Sequence, residues 1–118
     1  MPSIVIVSWN TESKLRICLQ SLVKYYPTLT DVIVIDNHSS DNTVTMVREE
    51  FPQFQIKPLS ENIGFAAANN LGVREVRGDF VLLLNPDTEF EDSESLGRAV
   101  QVLKDNDAGA VGVRVKNT

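Results

Sequence analysis

Residues 82–90 read LLLNPDTEF: three leucines, then Asn85 and Pro86, with Asp87 directly behind the proline. A single carboxylate held at the end of a strand suits Mg2+ or Mn2+. These hard ions often take only one or two protein carboxylates and complete their shells with phosphate oxygens and water. A metal held this way offsets phosphate charge and helps a diphosphate leave. Asn85 can add a neutral oxygen on the same side if the extended geometry persists. Three more apolar runs end in polar clusters: Ser8-Trp9-Asn10, Asp36-Asn37 and Glu61-Asn62-Ile63-Gly64. No one cluster is distinctive, and the case for a site rests on their convergence.

Convergence requires a particular arrangement of elements. SIVIVSW at 3–9 has the β-branched composition of a strand with both faces covered. Leu15, Cys18, Leu19 and Leu22 follow at helical spacing, with Asn10 or Thr11 as N-cap and Pro27 as stop signal. DVIVID at 31–36 predicts a second strand, and Val44, Val47 and Phe51 a short helix. A third, weaker strand is expected at 54–59, ending at Pro58 or lying at an edge. Residues 64–76 predict a helix with a small-residue face, closed by Gly78. DFVLLL at 79–84 predicts a fourth, buried strand. Leu96, Ala99, Val100 and Leu103 predict a helix capped by Asp92 or Ser93, and 109–115 a fifth strand. Strict alternation of this kind predicts an α/β domain with a mostly parallel sheet, helices on both faces and right-handed crossovers. Ligands of such sheets bind beyond the carboxyl ends of the strands, where all four polar clusters would then lie.

Each cluster also has a purely structural use. Asn10 can cap a helix, Trp9 can be core if its N–H finds a partner, and Asp36 and Asn37 are common turn residues. His38 reads as a solvated turn histidine. Glu89, Glu91, Asp92 and Glu94 read as acids favoured near a helix N-terminus.

Bulk properties narrow the function. The 118 residues suit one domain with one core. A net charge of −5 argues against a nucleic-acid partner. No apolar run approaches membrane-spanning length, and the N-terminus lacks a basic leader region. The single cysteine, Cys18, cannot form an internal disulfide, so a reducing, cytoplasmic setting is expected. The dinucleotide and P-loop glycine patterns are both missing. A receiver-like domain would need an acid pair after the first strand, where this chain has VSWN.

The pieces SIVIVSWN, DVIVIDNHSSDNT, ENIGFAAANN and GDFVLLLNPDTEF, in this order and spacing, cover nearly the whole chain. In them the chain resembles the N-terminal, nucleotide-sugar-binding half of family 2 glycosyltransferases, which have the GT-A fold. NPD together with NIGFAAANN looks most like the bacterial rhamnosyltransferase-type branch, whose work is cell-surface polysaccharide biosynthesis. The resemblance implies roles by position. Ser8, Trp9 and Asn10 would line the base and ribose. Asp36 and Asn37 match an acidic pair that contacts a pyrimidine base, with an amide in second place here. Gly64 and Asn69 match a stretch near the nucleotide sugar, and position 68, often basic in the family, is Ala. Asn85 and Asp87 match the ends of a D-x-D motif in which only the second acid survives, making Asp87 the expected ligand of Mg2+ or Mn2+.

The implied reaction moves a sugar from a UDP- or dTDP-sugar to an acceptor hydroxyl with inversion. Inversion needs a general base, which the resemblance puts beyond residue 118, together with the half that would bind a glycan or lipid-linked acceptor. The chain is thus expected to be a donor-binding GT-A sheet truncated after about five strands, inactive by itself. It could form a homodimer through exposed apolar surface. The full-length protein would work in the cytoplasm or at the inner face of the membrane. The alternative is a noncatalytic nucleotide- or sugar-binding module.

Overall fold

A computed structural model describes residues 2–105 and the backbone of 116–117. Its elements are β1 (Ser3–Ser8), α1 (Glu12–Tyr25), β2 (Val32–Asp36), α2 (Thr43–Glu50), β3 (Gln55–Pro58), α3 (Phe65–Glu75), β4 (Val81–Leu84), β5 (Thr88–Glu89), α4 (Ser95–Asp105) and β6 (Lys116–Asn117). The strand expected at 109–115 lies outside the described residues. Four strands form one parallel sheet in the order β3-β2-β1-β4, and β5 and β6 form a separate antiparallel pair.

Strand alternation divides the core into two layers. Ile4, Ile6, Val32, Val34 and Leu84 face the side packed with Leu15, Leu19 and Leu22 of α1, Met46 and Val47 of α2, and Leu96 of α4. Val5, Val7, Ile33 and Ile35 face the other side, covered by α3 through Ala68. Helices therefore lie on both faces, as expected. Leu15, Cys18, Leu19 and Leu22 are all fully buried, in keeping with their spacing. β3 ends at Pro58 and is an edge strand, where a missing N–H is tolerated.

Two expectations need correction. β4 is not a fully buried strand: it is an edge of the described sheet, and Leu83 is 52% exposed. The apolar run DFVLLL predicts burial, but α3 packs over β1 and β2. Gly78 does not close α3, which ends at Glu75 with Val76 extended. Gly78 instead sits in a corner where a Cβ would come within 2.5 Å of Ser3 Oγ.

That corner ties the amino-terminal edge of the sheet. Ser3 Oγ donates to Asp31 Oδ2 and accepts the Gly78 N–H at 2.6 Å, while the Arg77 N–H donates to Asp31 Oδ2 at 3.0 Å. Burial works against the Asp31 carboxylate, but these donors and the Arg77 charge outweigh it and hold its pKa below the usual value. A depressed carboxylate pKa gives stability that is present above the unfolded-state value and lost as pH falls through the folded-state value. Asp31→Asn is therefore expected to cost about 1 kcal/mol at neutral pH, after allowing for partial exposure. It should also flatten the fall of the urea midpoint below about pH 4. An acid limb identical to that of the parent would show that this carboxylate contributes nothing.

Candidate functional site

Because the four strands are parallel, their carboxyl ends share one edge. The turns after Ser8, Asp36, Pro58 and Leu84 all leave from it, so the four polar clusters are brought to one side of the molecule.

The first two clusters interlock. Asn10, at φ 51°, does not cap α1. Its N–H donates to Ser39 Oγ at 2.9 Å, and its Oδ1 accepts the Ser40 N–H at 2.8 Å. Thr11 occupies the N-cap position without a side-chain cap bond. The carboxylate of Asp41 takes over, accepting the Glu12 N–H at 3.2 Å and the Thr43 N–H at 3.1 Å. Glu12 returns a bond through Oε1 to the Asn42 N–H at 3.0 Å. One acid thus serves the starts of both α1 and α2, where orphan N–H groups favour negative charge. Ser8 is buried, with its hydroxyl 2.8 Å from that of Thr11. Trp9 is not core: it is 53% exposed at the mouth of this edge.

Asp36 and Asn37 are 2% and 3% exposed. Asp36 accepts the Ser39 N–H at 3.0 Å and the Ser39 hydroxyl at 2.5 Å. Asn37 accepts the Ile63 N–H at 2.9 Å and donates to the Gly64 carbonyl at 3.2 Å. Both side chains shape loops of the chain itself. His38 is exposed at φ 69°, its Nδ1 3.3 Å from the Leu59 carbonyl. Gly64 precedes α3 at φ 88° and ψ 164°, a region essentially reserved for glycine. A Cβ there would meet nothing within 4 Å, so the position is open in space. Asn69 is buried and donates back to the Phe65 carbonyl at 3.2 Å. Ala68 packs against the sheet.

The fourth cluster is a turn pinned from below. The Thr88 hydroxyl and N–H donate to the Asn85 carbonyl at 2.7 and 3.2 Å, and the Asp87 N–H approaches Asn85 Oδ1 at 3.4 Å. Beyond it, the Phe90 N–H donates to Ser21 Oγ at 2.9 Å and the Leu96 N–H to the Tyr26 hydroxyl at 3.1 Å. The Phe90 ring meets Tyr26 edge-on, with centroids 5.4 Å apart. Ser21, Tyr26, Thr88 and Phe90 therefore fix the height of Asp87, and none carried a local sequence signal. Asn85 is exposed and Asp87 half-buried, with Oδ1 withdrawn from solvent. Asp92 accepts the Glu94 and Ser95 N–H groups at 3.0 and 2.9 Å at the start of α4, so the acids beyond Asp87 include a helix cap.

A carboxylate and a carboxamide on one turn are hard oxygen donors. Among the described residues no three His, Cys, Asp or Glu side chains gather as a metal group. The donor set fits an ion that completes its shell from phosphate and water, as Mg2+ and Mn2+ do. It does not fit a closed thiolate or imidazole site. Cys18 offers no nucleophile. Burial pushes its thiol up to about 12, against the pull of Thr88 and with the Asp87 charge adding to the rise. Among the described residues no helix is long and apolar enough to cross a membrane.

The family profile described as Glycosyl transferase family 2 matches residues 3–118. An uncharacterized glycosyltransferase of Haemophilus influenzae is 30% identical over 106 residues, covering 90% of this chain and 35% of its own length. A mouse β-1,4 N-acetylgalactosaminyltransferase 2 is 31% identical over 103 residues, covering 87% of this chain and 19% of its own length. The chain thus spans about a third or less of these relatives. A mannosyltransferase from Pyrobaculum calidifontis, solved with GDP-Man and Mn2+, superposes with a TM-score of 0.76 at 24% identity, over 86% of this chain and 31% of that one. The S. aureus TarS 1-349 structure with UDP-GlcNAc gives 0.74 at 24% identity, over 89% and 32%. The Rossmann-like, mostly parallel sheet is that of GT-A glycosyltransferases. Residues 3–118 carry the family's pattern from the first strand onward, and the chain belongs to glycosyl transferase family 2.

Proposed function

We propose that this chain is the donor-binding part of an enzyme that transfers a sugar, with inversion, from a UDP- or dTDP-sugar to an acceptor hydroxyl. The observation that carries this reading is the gathering of Trp9, the Gly64 turn and the Asn85–Asp87 turn at one edge of a parallel sheet, where such sheets bind ligands. Family membership supports transfer from a nucleotide donor, and the GDP-Man and UDP-GlcNAc complexes of the two structural neighbours support the ligand class. The rhamnosyltransferase-like assignment rests on the NPD and NIGFAAANN pieces alone.

In this reading Asp87 and Asn85 hold Mg2+ or Mn2+, and the ion supplies charge neutralisation for the diphosphate. The exposed ring of Trp9 offers a face for the base or ribose, beside Ser8 and Asn10. Asp36 and Asn37 frame the base side of the site. Gly64, with open space where a side chain would be, lets the donor sugar approach the backbone ahead of Asn69. The general base and the surface for a glycan or lipid-linked acceptor belong to sequence beyond residue 118. The complete protein acts in the cytoplasm or at the inner membrane face.

Trp9 is the only tryptophan in the chain, which makes it a reporter. Adding UDP or dTDP with Mn2+ to the 118-residue chain should change its fluorescence, and UDP without metal should do so far more weakly. Absence of binding to any nucleoside diphosphate at millimolar concentration would overturn the assignment. Binding that needs no metal would remove the ion from it.

A further inference from the structure

Asn37 spends both ends of its carboxamide on a single stretch of backbone 26–27 residues away, the Ile63 N–H and the Gly64 carbonyl. Its own N–H donates to the Ser8 carbonyl at 2.8 Å. The Gly64 carbonyl also accepts the Ala68 N–H at 3.2 Å, in the first turn of α3, and the Gly64 N–H donates to Asn62 Oδ1 at 2.9 Å. One buried amide thereby sets the start of α3 against the ends of β1 and β2. The two partners call for a group that both donates and accepts, as an amide does. A carboxylate could accept from Ile63, but it has no proton for the Gly64 carbonyl and would set a charge against it. We infer that Asn37 is a positioning residue of the donor edge, holding the Asn62–Gly64 turn and the entry of α3 in place. This inference rests on the donor-site reading above.

Asn37→Asp in the 118-residue chain tests it, because a protonated carboxyl group can both donate and accept as the amide does. Burial and the neighbouring carbonyl favour the neutral form. The charged groups nearby in the chain are Asp36 and His38 on either side, Lys57 on β3 and Glu61 on the 59–64 loop; α3 carries none before Arg74. The parent chain contains all of these and serves as the control for their titration.

Between pH 5 and 9, the variant should lose hydrogen-exchange protection at the Ala68 amide, whose acceptor is the Gly64 carbonyl, when its carboxyl group ionises and regain it on acidification. The parent should show no such recovery. UDP affinity with Mn2+ should follow the same curve, about tenfold weaker in the ionised variant, as for one lost buried hydrogen bond. Should the ionised variant unfold, recovery of the folded signal on acidification reads the same titration. Protection equal to the parent's at every pH overturns the inference. So does UDP binding in the ionised variant as tight as the parent's. If the parent binds no nucleoside diphosphate, the donor reading falls, and the exchange profile still decides whether Asn37 anchors the turn.

Discussion

Asp87→Ala is expected to weaken UDP binding in the presence of Mn2+ by about 10- to 100-fold, the range met even when only the supporting residues of a metal site are lost. The stability change should stay within about 1 kcal/mol. The asymmetry follows from how the turn is built. Its shape is held by Thr88 on the Asn85 carbonyl and by Phe90 on Ser21, and neither bond uses the Asp87 side chain. Truncation therefore leaves those two bonds in place. Asp87→Asn keeps the volume and one neutral oxygen but no charge, so it should lose most of the metal-dependent affinity as well. Asn85→Ala should lose less, because a neutral amide is a weaker donor than a carboxylate. Isothermal titration with and without Mn2+ reads all three. Metal-dependent affinity in Asp87→Ala equal to that of the parent would move the ion elsewhere.

The parts of this fold that could be read from sequence are those set by local pattern. SIVIV and VIVI are β-branched runs with both faces apolar, and both became central strands. Leu15, Cys18, Leu19 and Leu22 share a helical face, and Pro58 marks an edge. Strand–helix alternation then predicts the parallel sheet and, with it, the edge that gathers the polar clusters. The rest depends on distant partners. Leu83 looked buried because nothing in VLLL records where α3 lies. Asn10 reads as a helix cap, yet its partners are Ser39 and Ser40. Asn37 reads as a turn residue, and the backbone that it holds, at Ile63 and Gly64, is distant in sequence. The height of Asp87 depends on Ser21 and Tyr26 of the α1 region, residues with no spacing relation to it. Side chains with several possible hydrogen-bond uses are legible as polar at an edge, but their partners are decided by the assembled fold.

Gly72→Ala should destabilise the chain by about 1–3 kcal/mol through overpacking, although helix propensity alone predicts a gain of roughly 1 kcal/mol. The sign of the effect therefore separates packing from propensity. Gly72 lies within α3 where the helix crosses β1, and a Cβ there would sit 2.3 Å from Val5 Cγ1 and 3.2 Å from Val5 Cγ2. Val5 is fully buried between Ile33 and Leu83 in the sheet. Its β-branched side chain has few alternative rotamers, so the helix must move away from the sheet. Val5→Ala should cost roughly 1–3 kcal/mol on its own, as a buried truncation. The double variant should be more stable than the sum of the two losses implies, with a coupling of about 0.5–3 kcal/mol. Urea denaturation of the four chains measures it, and additive losses would mean that the two positions do not meet. The same displacement reaches the candidate site, because α3 carries Asn69 and begins at Gly64. UDP affinity should fall in Gly72→Ala and recover in the double variant. Affinity that holds while stability falls would show that donor binding does not depend on how closely α3 lies against β1.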